Sequence, residues 1–188
     1  MSRLAAFFGR STPTAPLPWP PHSPEGLVAR WVRWVAAHDD RQNPVSDPTG
    51  ANAGHHQPAD VWFLAGSYGE TVRRRCVVPA GRPLFFPAFN MWQWPARPGE
   101  LPVVSRASGY ALVDGVPVPV ATIGTATPFE VRGVAGNGVT DTSRPEQVSC
   151  WGLWATVAPL APGPHTVAFG GTDGHGFRVD AHYEVQVG

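Results

Sequence analysis

The sequence has little charge, and neither sign is in excess. Lys and Arg number 14 and Asp and Glu also number 14 among 188 residues, so the formal net charge is zero. Nucleic acids and anionic membranes attract proteins through an excess of basic side chains. We therefore expect no nucleic-acid partner and no membrane partner. The one basic run, Arg73–Arg75, is typical of a solvated strand face on which only the middle arginine is a candidate for pairing.

Cysteines and long apolar runs are also scarce. The two cysteines, Cys76 and Cys150, are too few for a disulfide scaffold, and they fit either a single bridge or two buried free thiols. The apolar run Leu4–Phe8 is shorter than the core of a signal peptide and far too short to span a bilayer. These absences predict a soluble, cytoplasmic protein.

Familiar catalytic motifs are missing as well. The sequence contains no G-x-S-x-G nucleophile elbow, P-loop, dinucleotide-binding fingerprint, HExxH or CxxC. The reaction classes that depend on those motifs are therefore disfavoured, although an unfamiliar chemistry stays open. We expect no cofactor, and only a divalent metal ion is left open.

Glycine, proline and tryptophan are abundant instead, with 21, 22 and 8 residues. This composition favours a turn-rich all-β domain over a helical protein. Residues 1–24 form a proline-rich arm, whose prolines favour extended backbone, and residues 25–188 form a single domain. One helix is expected from Ser23, its N-cap, to about His38. Its apolar stripe carries two tryptophans and would pack on a sheet.

Short alternating segments predict the strands. Thr71–Val78 and Phe177–Val187 alternate apolar and polar residues, as half-buried strands do. Val61–Ala65 is apolar throughout and suits a strand buried on both faces. The other strands predicted from such patterns are Pro83–Phe86, Phe129–Val134, Cys150–Val157 and His165–Phe169.

A hairpin is expected near the middle of the chain. Asp114-Gly115 is a strong type I′ turn signal between two apolar runs. Pro117 and Pro119 then remove two N–H groups from one side of the second strand, which marks it as an edge strand. With about eight or nine short strands and one helix, the sequence predicts an all-β fold: an antiparallel, jelly-roll-like β-sandwich with one N-terminal amphipathic helix packed on it.

Several blocks of the sequence are similar to those of a known family. They resemble, in this order, a family of uncharacterised bacterial, often exported, β-rich proteins with NPxxDxTG, VWFLAG, CxVPAG and FPxxN blocks. The resemblance covers most of the predicted domain and implies a fold, not a reaction. The blocks are ARWVRWV (29–35), NPVSDPTGAN (43–52), DVWFLAGSYG (60–69), RRCVVPAGRPLFFPAFN (74–90) and PGPHTVAFGG (162–171).

The chain departs from this family in two ways. It has no visible export signal, and it has Ala53 where the resemblance would place a cysteine partner for Cys76. Both departures weaken the case for a disulfide bridge and for export. The resemblance therefore implies a cytoplasmic descendant of the family, recruited to specialised metabolism.

Three polar residues are candidates for catalytic acid/base chemistry: Asp47, Glu70 and Asn90. Asp47 lies in the long polar loop 39–60, Glu70 follows a glycine turn and Asn90 follows a predicted strand. A carboxylate beside tryptophans has a raised pKa and can act as a general acid or base. Asn90 and Asn52 can position a substrate carbonyl or hydroxyl. The alternative is that Asp47 and Asn52 cap turns and hold the loop.

Other residues are candidates for binding. Aromatic platforms on β-sandwiches bind sugars or small amphipathic molecules, and the candidates for such a platform are Trp92, Trp94 and Trp154, unless they belong to the core. Histidine and carboxylate side chains in two loops offer nitrogen and oxygen ligands for a metal ion, although loop histidines are more often simply exposed. The candidate metal ligands are His55, His56, Asp173 and His175.

Our leading hypothesis is a protein that handles a small molecule in a pocket built from the loop 39–60, the segment 87–104 and the loop 170–176. It is either a binder or a cofactor-independent acid/base enzyme of specialised metabolism. One alternative is a structural or protein-interaction module without catalysis, which meets a partner or forms a homo-oligomer. The other alternative is a metal-binding protein that uses the loop histidines.

Overall fold

The computed structural model describes residues 14–188, so most of the predicted proline-rich arm lies outside the described residues. The end of the arm that is described runs along the domain. The amide of Ala15 donates to Glu130 Oε1 at 3.1 Å, and Arg33 Nη2 donates to the carbonyl of Ala15 at 2.8 Å. Trp19 packs against the apolar core beneath the helix. These contacts tie the end of the arm to the helix and to a neighbouring strand.

Helix α1 (Pro24–Ala36) begins where the sequence predicts. Ser23 is its N-cap, because the Ser23 Oγ accepts a hydrogen bond from the amide of Gly26 at 3.1 Å. Pro24 lies in the first turn, where its missing N–H has no helical partner to lose. The helix ends two residues before the predicted His38. Its buried stripe faces a β-sheet and includes Val28, Ala29, Trp31, Val32, Trp34, Val35 and Ala36.

Ten strands follow the helix in the part of the chain that the structure describes. In chain order they are β1 (Trp62–Phe63), β2 (Thr71–Val78), β3 (Leu84–Gln93), β4 (Ser108–Val113), β5 (Val116–Pro117), β6 (Ala121–Gly124), β7 (Phe129–Val131), β8 (Glu146–Val157), β9 (Gly163–Thr172) and β10 (Arg178–Val187).

The strands form two packed sheets and confirm the predicted β-sandwich with one N-terminal helix. Sheet A has the order β1-β3-β8-β6, with β7 also paired to β8, and sheet B has the order β2-β10-β9-β4-β5. Most neighbouring strands are antiparallel, but β1 runs parallel to β3 and β2 runs parallel to β10. Both sheets are therefore mixed. Periodicity shows which residues of a strand are buried, but it does not show the direction of the partner.

The bounds of some strands differ from the prediction. β2 has the predicted bounds, whereas β3 continues past the predicted end at Phe86 to Gln93. Pro87 does not end β3, because the register against β8 shifts between Pro87 and Phe89 and so accommodates the proline. The first residues of the predicted loop 170–176 continue β9, and β6 was not predicted.

The hairpin between β4 and β5 forms as predicted. Asp114 and Gly115 have φ values of 50° and 78°, as a type I′ turn requires. The Asp114 carboxylate accepts a hydrogen bond from the amide of Thr166 at 2.7 Å, which ties the turn to β9. β5 is an edge strand of sheet B, and Pro117 lies in it.

The apolar side chains form two cores, one between α1 and sheet A and one between the two sheets. Cys150 lies in the first core and Cys76 packs against the second, so sheet A separates them and both are free thiols. Burial raises the pKa of each thiol to about 12. The alternative of two free thiols, left open by the sequence, is the one that the structure shows.

Arg74 is a buried cation at the side of the sandwich. It points inward from β2 and is only 2% exposed, whereas Arg73 and Arg75 on either side are exposed. Its guanidinium donates to the carbonyl of Asp47 at 2.6 Å and to the carbonyl of Val45 at 2.9 Å. The remaining acceptors are the carbonyls of Ala65 and Gly66, at 2.6 and 2.8 Å, and the Tyr183 hydroxyl, at 2.8 Å.

Arg74 therefore joins three segments that are far apart in the sequence: the loop 39–60, the segment after β1 and strand β10. A guanidinium stays charged inside a protein and has five N–H donors in one plane. A lysine has no such fork and cannot reach acceptors on three sides. Arg74 is the middle arginine of the basic run, which the sequence marks as the candidate for pairing. Its partners are backbone carbonyls and the Tyr183 hydroxyl.

We predict that both cysteines are unreactive in the folded protein. Because the raised pKa keeps each thiol protonated at pH 8 and burial restricts access, DTNB should detect almost no thiol under native conditions. In denaturant without reductant it should detect two thiols per chain. Rapid reaction of the native protein, or fewer than two thiols after unfolding, would contradict this arrangement.

We also predict that Arg74→Met is strongly destabilising. The substitution leaves buried carbonyl oxygens without donors, and each such loss costs about 1–3 kcal/mol. We expect the free energy of unfolding in urea to fall by about 3 kcal/mol or more. Arg73→Met is the matched control, because Arg73 is exposed on the same strand, and it should change stability by no more than about 0.5 kcal/mol. Equal effects of the two substitutions would count against the bridging role of Arg74.

Candidate functional site

A cavity opens at one end of the sandwich because β1 is short. β1 pairs with β3 only through Trp62–Phe63, opposite Leu84–Phe85. The chain then leaves sheet A and crosses to sheet B, where β2 begins. Beyond Phe85, the edge of β3 that faces away from β8 has no strand partner among residues 14–188. A cavity of about 480 Å³ lies beside this free edge.

All three segments predicted to build the pocket line this cavity. The loop 39–60 contributes one residue, the segment 87–104 contributes five and the loop 170–176 contributes one. The remaining wall comes from the segment that crosses between the sheets and from the start of β10. The lining residues are Val45, Gly66, Ser67, Tyr68, Phe89, Asn90, Met91, Trp92, Val104, Asp173, Phe177 and Val179.

The cavity wall is largely apolar and aromatic. Trp92 packs toward Trp31 of the helix, with ring centroids 6.4 Å apart, and Phe89 lies 6.2 Å from Phe177. Tyr68 and Phe177, together with Met91, are exposed large apolar residues although they line the cavity. An exposed apolar rim around a concave site is a common feature of surfaces that bind ligands.

Tyr68 is held in the wall by its hydroxyl end. The residue is 48% exposed, but its hydroxyl accepts a hydrogen bond from Asn43 Nδ2 at 3.1 Å and packs against Gly138. A methyl group at Gly138 would lie 2.2 Å from the hydroxyl oxygen, so a larger residue there would displace the Tyr68 hydroxyl from its present position. Burial of this end raises the pKa of Tyr68. The phenol therefore stays protonated at neutral pH and is a hydrogen-bonding group rather than a base.

Asn90 is the candidate catalytic residue that lines the cavity. It lies on β3 opposite Gly152 of β8 and is half-buried. Its Nδ2 is buried and has no hydrogen-bond partner, and the same holds for Nε1 of Trp154. Trp154 itself lies in the core, stacked on Phe85 with ring centroids 5.1 Å apart, and does not line the cavity.

Asp47 and Glu70 do not join Asn90. The carboxylate of Asp47 accepts hydrogen bonds from the amide and hydroxyl of Thr49, at 2.8 and 2.7 Å, and from the amide of Asn52 at 2.8 Å. Glu70 is exposed and lies outside the cavity lining. The three candidate catalytic residues are therefore not brought together in one acid/base site.

The hydrogen bonds around Asp47 organise the loop 39–60. Burial acts to raise the pKa of the Asp47 carboxyl, but the hydrogen bonds from the amides of Asn52 and Thr49 outweigh it and hold the pKa below its usual value. The side chain of Asn52 donates to the carbonyl of Arg41 at 3.2 Å, within the same loop. Asp47 also offers its own carbonyl to Arg74, so the loop and the buried arginine are one connected unit.

Of the remaining tryptophan candidates, only Trp92 lines the cavity. Trp94 is 43% exposed just after β3 and does not line the cavity, whereas Trp92 does. His55 and His56 are exposed in the loop 39–60, where the ring of His56 lies 5.1 Å from the ring of His38.

Asp173 and His175, the other candidate metal ligands, belong to a turn that the Asp173 side chain stabilises. The Asp173 carboxylate accepts hydrogen bonds from the amides of His175 and Phe177, at 2.7 and 3.0 Å. Within residues 14–188, no group of three or more His, Cys, Asp or Glu side chains is placed to hold a metal ion. The four residues predicted as metal ligands thus do not form such a group in the described part of the chain.

Some lining residues were not predicted as site residues. Gly66, Ser67 and Tyr68 belong to the crossing between the sheets, which depends on where β1 stops pairing. Phe177 and Val179 continue the alternation of β10, so the pattern marks them only as core positions. The one local sequence signal for this part of the site is Tyr68, a large aromatic residue in the otherwise small-residue stretch Gly66–Gly69.

The outer face of sheet B carries a second polar group of residues. The Tyr110 hydroxyl donates to Asp180 Oδ1 at 2.7 Å, and His182 Nε2 lies 3.4 Å from the same oxygen. Burial, followed by the hydrogen bond to Asp180, raises the pKa of Tyr110 to about 12. Arg75 and Glu184 pair at 2.6 Å farther along the face. These are contacts between neighbouring strands, and two depressions of about 620 and 520 Å³ lie beside Arg75 and Glu184.

Comparison with protein families, with curated proteins and with solved structures gives no match to this chain. No helix in the described residues is long and apolar enough to cross a membrane.

The hydrogen bonds of Asp47 predict a pH dependence of stability. Because its pKa in the folded state is lower than about 3.9, the value in an unfolded chain, the carboxylate stabilises the fold above that pH. This contribution is lost as the pH falls through the folded-state pKa. We expect Asp47→Asn to lower the free energy of unfolding by roughly 1–2 kcal/mol at pH 7, and the difference from wild type to shrink below about pH 4.

The control for this measurement is Asp40→Asn, since Asp40 is exposed in the same loop. It should alter the stability at pH 7 by no more than about 0.5 kcal/mol. A difference between wild type and Asp47→Asn that stays constant from pH 7 to pH 3 would show that the charge of Asp47 is not involved.

Proposed function

We propose that the protein binds a small, largely apolar molecule in the cavity beside the free edge of β3. The observation that carries the proposal is the cavity itself, which has aromatic walls and few polar groups. Its volume of about 480 Å³ lies within the range of roughly 300–1,000 Å³ that is usual for small-molecule sites. Binding would place the apolar part of the ligand against Trp92, Phe89 and Phe177.

The side chains around the cavity favour binding over acid/base catalysis. Asp173 is the one carboxylate among the described lining residues, and it already accepts two backbone hydrogen bonds. Asn90 carries an amide, which neither gives up nor takes a proton near neutral pH. A general acid or base must be within hydrogen-bond reach of the reacting atoms, and Asp47 and Glu70 lie outside the lining. We therefore prefer a binder to the acid/base enzyme.

The interaction-module alternative has less support. The described end of the proline-rich arm packs on its own domain through Ala15 and Trp19 rather than standing free. The edge strand β5 is only two residues long and contains Pro117, which blocks the addition of a further strand. The exposed apolar residues Tyr68, Met91 and Phe177 surround a cavity rather than forming a flat patch.

Filling the cavity should abolish binding of a neutral apolar probe. We expect Nile red, an uncharged dye whose fluorescence rises in apolar surroundings, to bind the wild-type protein. Val104→Trp places a large side chain in the cavity wall and should weaken dye binding by at least about tenfold, since a filled site loses most of its contact area. Dye titration followed by fluorescence measures the effect.

Val103→Trp is the matched control. Val103 precedes Val104 in the chain, is 57% exposed and does not line the cavity. It should leave Nile red binding unchanged, and the melting temperature of both variants should be checked to exclude unfolding. Absence of dye binding to the wild type, or the same loss of binding in both variants, would refute the proposed function.

A further inference from the structure

Two buried N–H donors without acceptors belong to side chains that pack around Gly152, and one of these side chains lines the cavity. They are Nδ2 of Asn90 and Nε1 of Trp154, both buried and without hydrogen-bond partners. Both side chains lie against Gly152, since a methyl group there would be 2.8 Å from Asn90 Cβ and 2.8 Å from Trp154 Nε1. The thiol of Cys150 lies next to the same amide, but sulfur is a weak acceptor. Leaving such donors unsatisfied costs about 1–3 kcal/mol each.

A half-turn of the Asn90 amide removes this conflict. The oxygen and nitrogen of the amide have nearly the same shape, so the hydrogen-bond network decides their orientation. The half-turn would put Oδ1 in the buried position of Nδ2, next to the Cys150 thiol, where it is available as an acceptor to the N–H of the Trp154 indole that packs against the same glycine. The NH2 group would then face the cavity that Asn90 lines. In this orientation the NH2 group of Asn90 is a hydrogen-bond donor in the cavity wall. The hydrogen bond from the Trp154 indole to Oδ1 would fix the orientation of the amide.

The charges around the cavity limit what can meet that donor. No lining residue that the structure describes is Lys, Arg or His, and the one ionisable carboxylate is Asp173. A carboxylate or phosphate ligand would therefore be buried without a cation, which is costly. An uncharged oxygen, such as a carbonyl, ether or hydroxyl, accepts from the amide without that cost.

We propose that the cavity selects an uncharged, largely apolar ligand with an acceptor oxygen, which the NH2 group of Asn90 binds while Trp154 holds the amide oxygen. This inference rests on the proposed function, since it names the ligand class of the same cavity. Asn90 is then a specificity-determining residue rather than a catalytic one. Trp154 acts through Asn90 and is a positioning residue.

Three probes that share the fluorene ring system test the proposal on the wild-type protein. Fluorenone carries a carbonyl oxygen, fluorene carries a CH2 group in its place, and fluorene-9-carboxylate carries a negative charge at neutral pH. We expect fluorenone to bind about three- to tenfold more tightly than fluorene, which is the usual worth of one neutral hydrogen bond. The carboxylate should bind at least about tenfold more weakly than fluorene.

Asn90→Leu removes the amide while keeping a side chain of similar size. We expect it to remove the preference for fluorenone, so that fluorenone and fluorene bind with equal affinity. Gln93→Leu is the matched control, since Gln93 is a half-buried amide on the same strand outside the cavity lining. It should leave the affinities for both probes unchanged.

The infrared carbonyl band of bound fluorenone is a direct readout of the hydrogen bond. It should shift to lower frequency in the wild-type protein relative to fluorenone in hydrocarbon solvent, and Asn90→Leu should remove the shift. A merely structural role of Asn90 would not move this band. If Asn90→Leu does not fold, the band and the three affinities of the wild-type protein still decide the question.

The outcomes separate this inference from the proposed function. If fluorene and fluorenone bind equally well, and Val104→Trp abolishes both, the cavity binds apolar molecules but Asn90 does not select them. If the carboxylate binds best, the ligand class is wrong. If no probe binds and Nile red does not bind either, the proposed function itself has failed.

Discussion

The hydrogen bonds of the buried Arg74 guanidinium are the constraint on which the rest of the structure depends. They join the loop 39–60, the crossing between the sheets and strand β10 through the carbonyls of Asp47, Ala65 and neighbouring residues and the Tyr183 hydroxyl. A buried charge is tolerated only when its donors are satisfied. The three segments must therefore stay in place together, and the wall of the cavity is part of the same arrangement.

The cavity follows from how the crossing is built. Because β1 pairs with β3 over only two residues, the edge of β3 is uncovered where Asn90 and Trp92 lie. The crossing and the start of β10 close the sides of the resulting space. The residues of the wall are held in place by the fold. Asn90 and Trp92 belong to strand β3, and Tyr68 is fixed by the hydrogen bond from Asn43. A preformed apolar site of this kind suits binding, since little ordering is needed when the ligand enters.

The candidate site could be predicted only in outline. The loops 39–60 and 170–176 stand out by their composition as polar or glycine-rich stretches between strands, whereas four of the five lining residues in the segment 87–104 lie in the extension of β3 that the sequence did not predict. The roles of single residues were harder to predict, because Asp47 looks like a free carboxylate until the hydrogen bonds from Thr49 and Asn52 are seen. Trp154 lies on a strand whose buried face becomes clear only once α1 is placed against sheet A.

Local patterns in the sequence by themselves determined the helix with its cap at Ser23, the bounds of β2 and the type I′ hairpin at Asp114-Gly115. They could do so because capping, alternation and turn chemistry act between residues that are close together in the chain. Only the tertiary structure decided that β1 and β2 run parallel to their partners, and that Asn90 faces a cavity while Asp47 and Glu70 do not. Those outcomes depend on contacts between residues far apart in sequence, and Arg74 shows why: its side chain finds its acceptors only after three distant segments have met.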